Sequence, residues 1–140
     1  MMAADSGATI LETKDDSPKI PGKKKTKFDI IIIGAGPSGY TAGIYCSRAG
    51  YDTLILSGIL PGGQLVNTTE VENYPGFEKG IMGPDLMIEM RKQTQRMGTT
   101  IIDDEVVDVD FRHPPFKVLT GSEEYEGRAV IIATGANPRK

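Results

Sequence analysis

The stretch Ile30-Ile31-Ile32-Ile33-Gly34-Ala35-Gly36-Pro37-Ser38-Gly39 runs from four β-branched residues straight into glycines spaced G-x-G-x-x-G. Few local structures accept that order. A continuous β-branched run suits a parallel strand buried on both faces, whereas a half-exposed strand would alternate apolar with polar. The strand has to stop at Gly34. There a glycine permits a tight turn, at Gly36 it lets backbone approach a pyrophosphate, and at Gly39 it lets the next helix pack closely on the strand. Residues 37 to 49 read as that helix, with Gly50 as its C-terminal cap. Its first amides lack intrahelical partners and carry about half a positive charge, which predicts a dinucleotide held by its diphosphate.

Downstream, Thr53-Leu54-Ile55-Leu56 is short, apolar and partly β-branched, and its distance from the first strand suits a βαβ crossover with parallel pairing. In an NAD-binding unit an acid at the end of this second strand holds the ribose hydroxyls. Ser57 stands there instead, and no Asp or Glu occurs from Thr53 to Thr69. FAD is therefore the better expectation than NAD. Residues 57 to 82 show little periodicity, and structureless loops of this length in compact domains are usually functional. Within that loop Gly62 and Gly63 can turn backbone amides toward a ligand, while Gln64 and Asn73 offer side-chain amides.

Gly83-Pro84-Asp85 predicts a helix start and Gly98 its end, with Leu86, Met90, Gln93 and Met97 on one face. The methionines read as core. Segments 99–102, 106–111, 116–119 and 124–126 follow as short strands, the first parallel and the rest an antiparallel meander, and 129–133 reads as a further buried strand. Ligands of doubly wound sheets sit at the carboxyl ends of strands, so Gly34, Ser57 and Thr134 should share one edge. His113, beside Pro114-Pro115, has no nucleophile or acid partner in sequence and is given no catalytic role.

Composition excludes other classes. The 140 residues are 39% hydrophobic and 25% charged with a net charge of -3, and no apolar run approaches the roughly 18 residues of a membrane helix. A cytoplasmic protein with no membrane and no nucleic-acid partner is expected. Residues 1–27 lack periodicity and read as a disordered leader, in which Lys23, Lys24, Lys25 and Lys27 form a solvated charge run. The domain is expected over 28–140. The lone cysteine, Cys46, excludes an internal disulfide, a C-x-x-C pair or a thiolate cluster, and its helical neighbours Ala42, Gly43 and Ala49 predict a small apolar filler facing the sheet.

From Phe28 to Asn137 the chain resembles the amino-terminal FAD domain of the low-molecular-weight thioredoxin reductases. The resemblance rests on Gly34-Ala35-Gly36-Pro37-Ser38-Gly39-Tyr40-Thr41-Ala42, Gly62-Gly63-Gln64-Leu65, Thr69-Glu70-Val71-Glu72-Asn73-Tyr74-Pro75-Gly76, Gly83-Pro84-Asp85-Leu86-Met87 and Ile131-Ile132-Ala133-Thr134-Gly135-Ala136. It implies an α/β, Rossmann-like FAD-binding fold, a parallel sheet plus antiparallel meander, incomplete in this chain. By the same resemblance Gly34, Gly36, Pro37 and Ser38 surround the FAD pyrophosphate, Gly39 belongs to the same cofactor-binding turn, and Ser57 and Gly58 lie near the adenosine ribose. Gly62, Gly63 and Gln64 line the ribityl and flavin region, with Asn73 near the reactive edge of the ring. The Val106 backbone meets the adenine, and Thr134, Gly135 and Ala136 approach from the last strand.

The family also carries an NADPH domain with a second glycine-rich turn, a C-x-x-C pair, and a returning segment that completes the FAD site. None of these motifs occurs in the 140 residues. The expectation is a truncated FAD-binding portion of an NADPH-dependent disulfide oxidoreductase, inactive alone and without catalytic or metal-binding residues of its own. A second polypeptide or a missing C-terminal part would complete it, with thioredoxin as partner and a homodimer as the family's assembly. Ferredoxin stays open as the electron donor. The alternative is a stand-alone nucleotide-binding or interaction module without catalysis.

Overall fold

The computed structural model describes residues 22–137, so most of the expected leader, residues 1–21, lies outside the described residues. The elements run β1 (Lys27–Ile33), α1 (Pro37–Arg48), β2 (Thr53–Leu56), a 3-10 turn (Gly63–Asn67), β3 (Glu70–Val71), β4 (Ile81–Met82) and α2 (Gly83–Arg96). β5 (Thr100–Ile102), β6 (Val106–Asp110), β7 (Phe116–Thr120) and β8 (Glu124–Ile132) follow. Six strands form one sheet in the order β5-β2-β1-β8-β7-β6. β5, β2, β1 and β8 are parallel, while β7 runs antiparallel to both β8 and β6. The α/β fold with an attached meander is thus borne out.

One expectation changes. The segments 124–126 and 129–133 are a single strand, β8, whose first half pairs with β7 and whose second half pairs with β1. In the half beside the meander Glu124 and Glu126 flank the buried Tyr125, and apolar residues fill the half beside β1, so the hydrophobicity shifts where the strand does not. Gly127 sits at the join because a Cβ there would stand 2.9 Å from Ile31 Cγ1. Removing the side chain keeps the two strands in contact.

The four isoleucines behave as a central strand must. Ile31 and Ile32 are fully buried on opposite faces. On one face Ile32 and Ile55 pack under α1 and α2 against Tyr40, Leu86, Met87 and Met90; on the other, Ile31, Leu54 and Leu56 meet Phe28, Val118 and Tyr125. Burying such a side chain stabilises by about 1.5–3 kcal/mol, so β1 and the fully buried β2 beside it are main contributors to the core. In α2 the buried stripe is Leu86, Met87, Met90 and Thr94, and Gln93 is exposed. The stripe is centred further round the helix than expected because the Thr94 hydroxyl finds acceptors in the core, Met90 O at 2.7 Å and Tyr40 O at 3.2 Å.

Three lysines of the charge run face acids. Lys24 pairs with Glu123 at 3.8 Å, Lys27 with Glu126 at 3.9 Å, and Lys25 with Asp52. The Thr26 carbonyl also accepts the Glu126 amide at 2.9 Å, aligning this segment with β8 before β1 begins. These pairs are exposed, and such pairs are worth little individually.

Under the glycine turn, packing is closer than any side chain allows. A Cβ on Gly39 would lie 2.1 Å from the Gly34 carbonyl oxygen, a backbone atom with no freedom to retreat. Gly39→Ala should therefore lower the unfolding free energy by about 1–3 kcal/mol, the usual cost of overpacking. Urea denaturation measures it, and an unchanged midpoint would contradict this packing.

Candidate functional site

The four parallel strands end together because backbone hydrogen bonds continue past their last residues. Gly34 N donates to Leu56 O at 2.9 Å, Ser57 N to Ile102 O at 3.0 Å, and Ala133 N to Ile33 O at 2.8 Å. This alignment brings the three β1, β2 and β8 termini onto one edge. A cavity of about 380 Å³ opens there, lined by Gly34, Gly36, Pro37, Ser38, Ser57, Gly63, Gln64, Thr134 and Gly135, all named from the sequence. Ala35, Leu60, Leu65 and Ala133 complete the lining. No charged side chain belongs to it.

The floor is the start of α1. Gly36 is the N-cap in extended conformation, Pro37 fills the first helical position, no side chain caps the helix and no acid lies in its first turn. The orphan amides of the first turn are thus left for a ligand. A Cβ at Gly36 would meet nothing within 4 Å, so the backbone faces open space, whereas Gly34 is pinned: its φ is +110 and its Cβ would stand 2.2 Å from Ala133 O. Gly34 and Gly39 serve the turn and Gly36 serves the cavity. An uncapped helix start, bare backbone and no competing carboxylate fit a diphosphate.

The roof is the loop after β2, tied back at two points. Gly62, in left-handed conformation, donates its amide to Ala35 O at 2.9 Å, and Gly83 donates to Thr69 O at 2.8 Å. Gly63 then passes so near the turn that its Cβ would touch Gly36 Cα at 3.4 Å. Gln64 Nε2 lies 3.5 Å from Ala136 O, joining the loop to the end of β8. Gly39, Gly58, Gly62 and Ala136 therefore stand behind or beside the lining. Asn73 is exposed in the loop between β3 and β4, and Val106 packs at the margin of the core beside β7; neither lines the cavity.

Sequence reasoning missed a cluster behind Ser57. Its hydroxyl donates to Asp103 Oδ1 at 2.5 Å, and Asp103 is held bidentate by Arg91, at 2.8 and 2.9 Å. The edge therefore has its acid, delivered by the residue after β5 and not by β2. The Asp-Asp pair at 103 and 104 was the available signal. The Arg91 guanidinium, with a smaller contribution from Ser57, holds the Asp103 carboxyl below its ordinary value, while burial raises the Tyr40 hydroxyl. Cys46 is half-buried, and burial raises its thiol and so disfavours the reactive thiolate.

Residues 28–140 match the pyridine nucleotide-disulphide oxidoreductase family. The chain belongs to that family. It is 51% identical over 116 residues to a thioredoxin reductase of Rickettsia bellii, covering 82% of this chain and 37% of that one. A thioredoxin reductase of Buchnera aphidicola is 51% identical over 115 residues, 82% of this chain and 36% of that one. Among solved structures, the thioredoxin reductase from Giardia duodenalis superposes with TM-score 0.78 at 40% identity, covering 83% of this chain and 38% of that chain. A ferredoxin-flavin thioredoxin reductase from Clostridium acetobutylicum gives 0.71 at 27% identity, covering 81% and 39%. The resemblance read from the motifs is borne out, and the chain spans just over a third of the length of these relatives. Among the described residues, no helix is long and apolar enough to cross a membrane.

The lowered Asp103 value has a consequence with a definite sign. A carboxyl depressed in the folded state stabilises above its unfolded value near 3.9, and that stabilisation disappears as pH falls through the lower folded value. With Asp103 half exposed, the pair is worth less than about 1 kcal/mol at neutral pH. Asp103→Asn should therefore be less stable than the unaltered chain at pH 7 and converge with it toward pH 2. Urea unfolding at both pH values checks this, and a gap that widened in acid would reverse the assignment.

Proposed function

We propose that this chain is the FAD-binding portion of a thioredoxin-reductase-like disulfide oxidoreductase. The observation that carries the reading is the cavity at the carboxyl edge, where an uncapped helix start meets the ends of β1, β2 and β8. Bound FAD would supply two-electron transfer between a reductant and a disulfide. The chain's own part is to bind and orient. The free amides after Gly36 take the diphosphate, Ser57 and Gly58 face the adenosine ribose, and Gly62, Gly63 and Gln64 form the wall along the ribityl chain. Thr134, Gly135 and Ala136 close the opposite side, and we assign Asn73 and Val106 to the ring edge and the adenine on resemblance alone.

Every lining residue acts by shape, backbone or neutral polar groups, so the site excludes competing acids and leaves redox chemistry to the cofactor. Thiol chemistry and a nicotinamide site belong to further polypeptide, in the same chain or a second one. Thioredoxin as substrate, and ferredoxin as one option for the donor, take their support from the names of the relatives, while NADPH as donor and a homodimer rest on the family resemblance. Delivery of electrons to disulfides suits a reducing compartment, which supports a cytoplasmic location.

Two measurements test this. Flavin fluorescence titration should show FAD binding that Gly36→Val weakens at least tenfold, because the new side chain enters the diphosphate position and removes charge-assisted bonds worth about 1.5–3 kcal/mol each. Equal dissociation constants for the two proteins would displace the site. In a steady-state assay the purified 140-residue chain should give no NADPH-dependent reduction of a disulfide dye, having one cysteine where a pair is required. Turnover would overturn the assignment of thiol chemistry to further polypeptide.

A further inference from the structure

Ser57 is 93% buried by its 7% exposure, lines the cavity, and has a hydroxyl with one proton and two lone pairs. Among the described residues, the three atoms hydrogen-bonded to Oγ are all acceptors: Asp103 Oδ1 at 2.5 Å, Gly58 O at 3.1 Å and Ile102 O at 3.3 Å. The proton is committed to the protein. Among the described residues nothing donates to the lone pairs, so a buried hydroxyl beside the cavity offers acceptors without partners.

We propose that Asp103 is a positioning residue for the nucleotide sugar: it holds the Ser57 proton so that Oγ presents only an acceptor to a ribose hydroxyl. This inference rests on the FAD reading and deepens it by naming how the sugar is recognised. Asp103 is itself fixed, because Arg91 takes both of its oxygens from α2 while Ser57 takes one from β2. The carboxylate polarises the Ser57 hydroxyl, which strengthens its acceptor character. A neutral hydroxyl so held does the work of the acid that ends β2 in other dinucleotide sites. The ligand class is an adenosine diphosphate with a free ribose diol. A 2′-phosphorylated nucleotide has no hydroxyl to donate at that carbon and would bring its charge toward the Asp103 carboxylate.

The test compares ADP with 2′,3′-dideoxy-ADP by calorimetric titration of the full 140-residue chain, alongside FAD. The unaltered chain should prefer ADP by about 3- to 10-fold, the range one net hydrogen bond gives. Ser57→Ala should bring the preference close to one. Asp103→Ala should reduce it by at least half, and adding it to Ser57→Ala should change the preference no further. Because Asp103 is half exposed, its truncation leaves the core closed, and a single cooperative thermal transition identifies a folded variant. A structural role would weaken both ligands equally, and that result overturns the inference. FAD binding with no preference for ADP over its dideoxy analogue overturns this inference alone. No binding of FAD or ADP by the unaltered, folded chain overturns the FAD reading and this inference with it.

Discussion

Gly34, Gly39 and Ala133 meet with no room for a side chain between them, and the site is built on that contact. Atoms added at the two glycines would fall 2.2 Å from Ala133 O and 2.1 Å from Gly34 O. The turn after β1 is thereby pressed against the end of β8 and the first turn of α1 at once. Strand ends, helix start and cavity floor are fixed by one steric constraint. Were that contact looser, the orphan amides of α1 would have no defined direction, and an uncapped helix end would be a cost in stability with no ligand to offset it.

Charge is kept out of the lining and placed immediately behind it. Backbone amides, hydroxyls and the Gln64 amide surround the cavity, while the Arg91–Asp103 ion pair stands one layer back and reaches the site through Ser57. This suits a ligand that brings its own negative charge. A carboxylate in the lining would repel a diphosphate, and an unpaired arginine there would bind phosphates without selecting the sugar. Pairing the two leaves a hydroxyl with a fixed proton, which carries direction but little net charge.

Much of this was legible in the order of residues. The run Ile30 to Ile33 specified a buried parallel strand because only such a strand tolerates β-branched residues on both faces, and the glycine spacing specified the turn because no side chain fits at Gly34 or Gly39. Pro37 and Gly50 bounded α1, and Pro84 and Gly98 bounded α2, since both residues act through local backbone geometry. From strand polarity alone Gly34, Ser57 and Thr134 could be assigned to one edge, and they do line one cavity.

What tertiary structure decided is whatever depends on distance between residues far apart in the chain. Glu124–Ile132 is one strand because it changes partner midway, and a pattern read along the chain records the environment of each residue and not the continuity of its backbone. Thr94 lies in the core because Met90 O and Tyr40 O accept its hydroxyl there, though threonine by itself reads as surface. Ser57 looked like the absence of an acid. Its acid, Asp103, is 46 residues away and arrives only when β5 pairs with β2, because a carboxylate acts through space and sequence spacing carries no information about that distance.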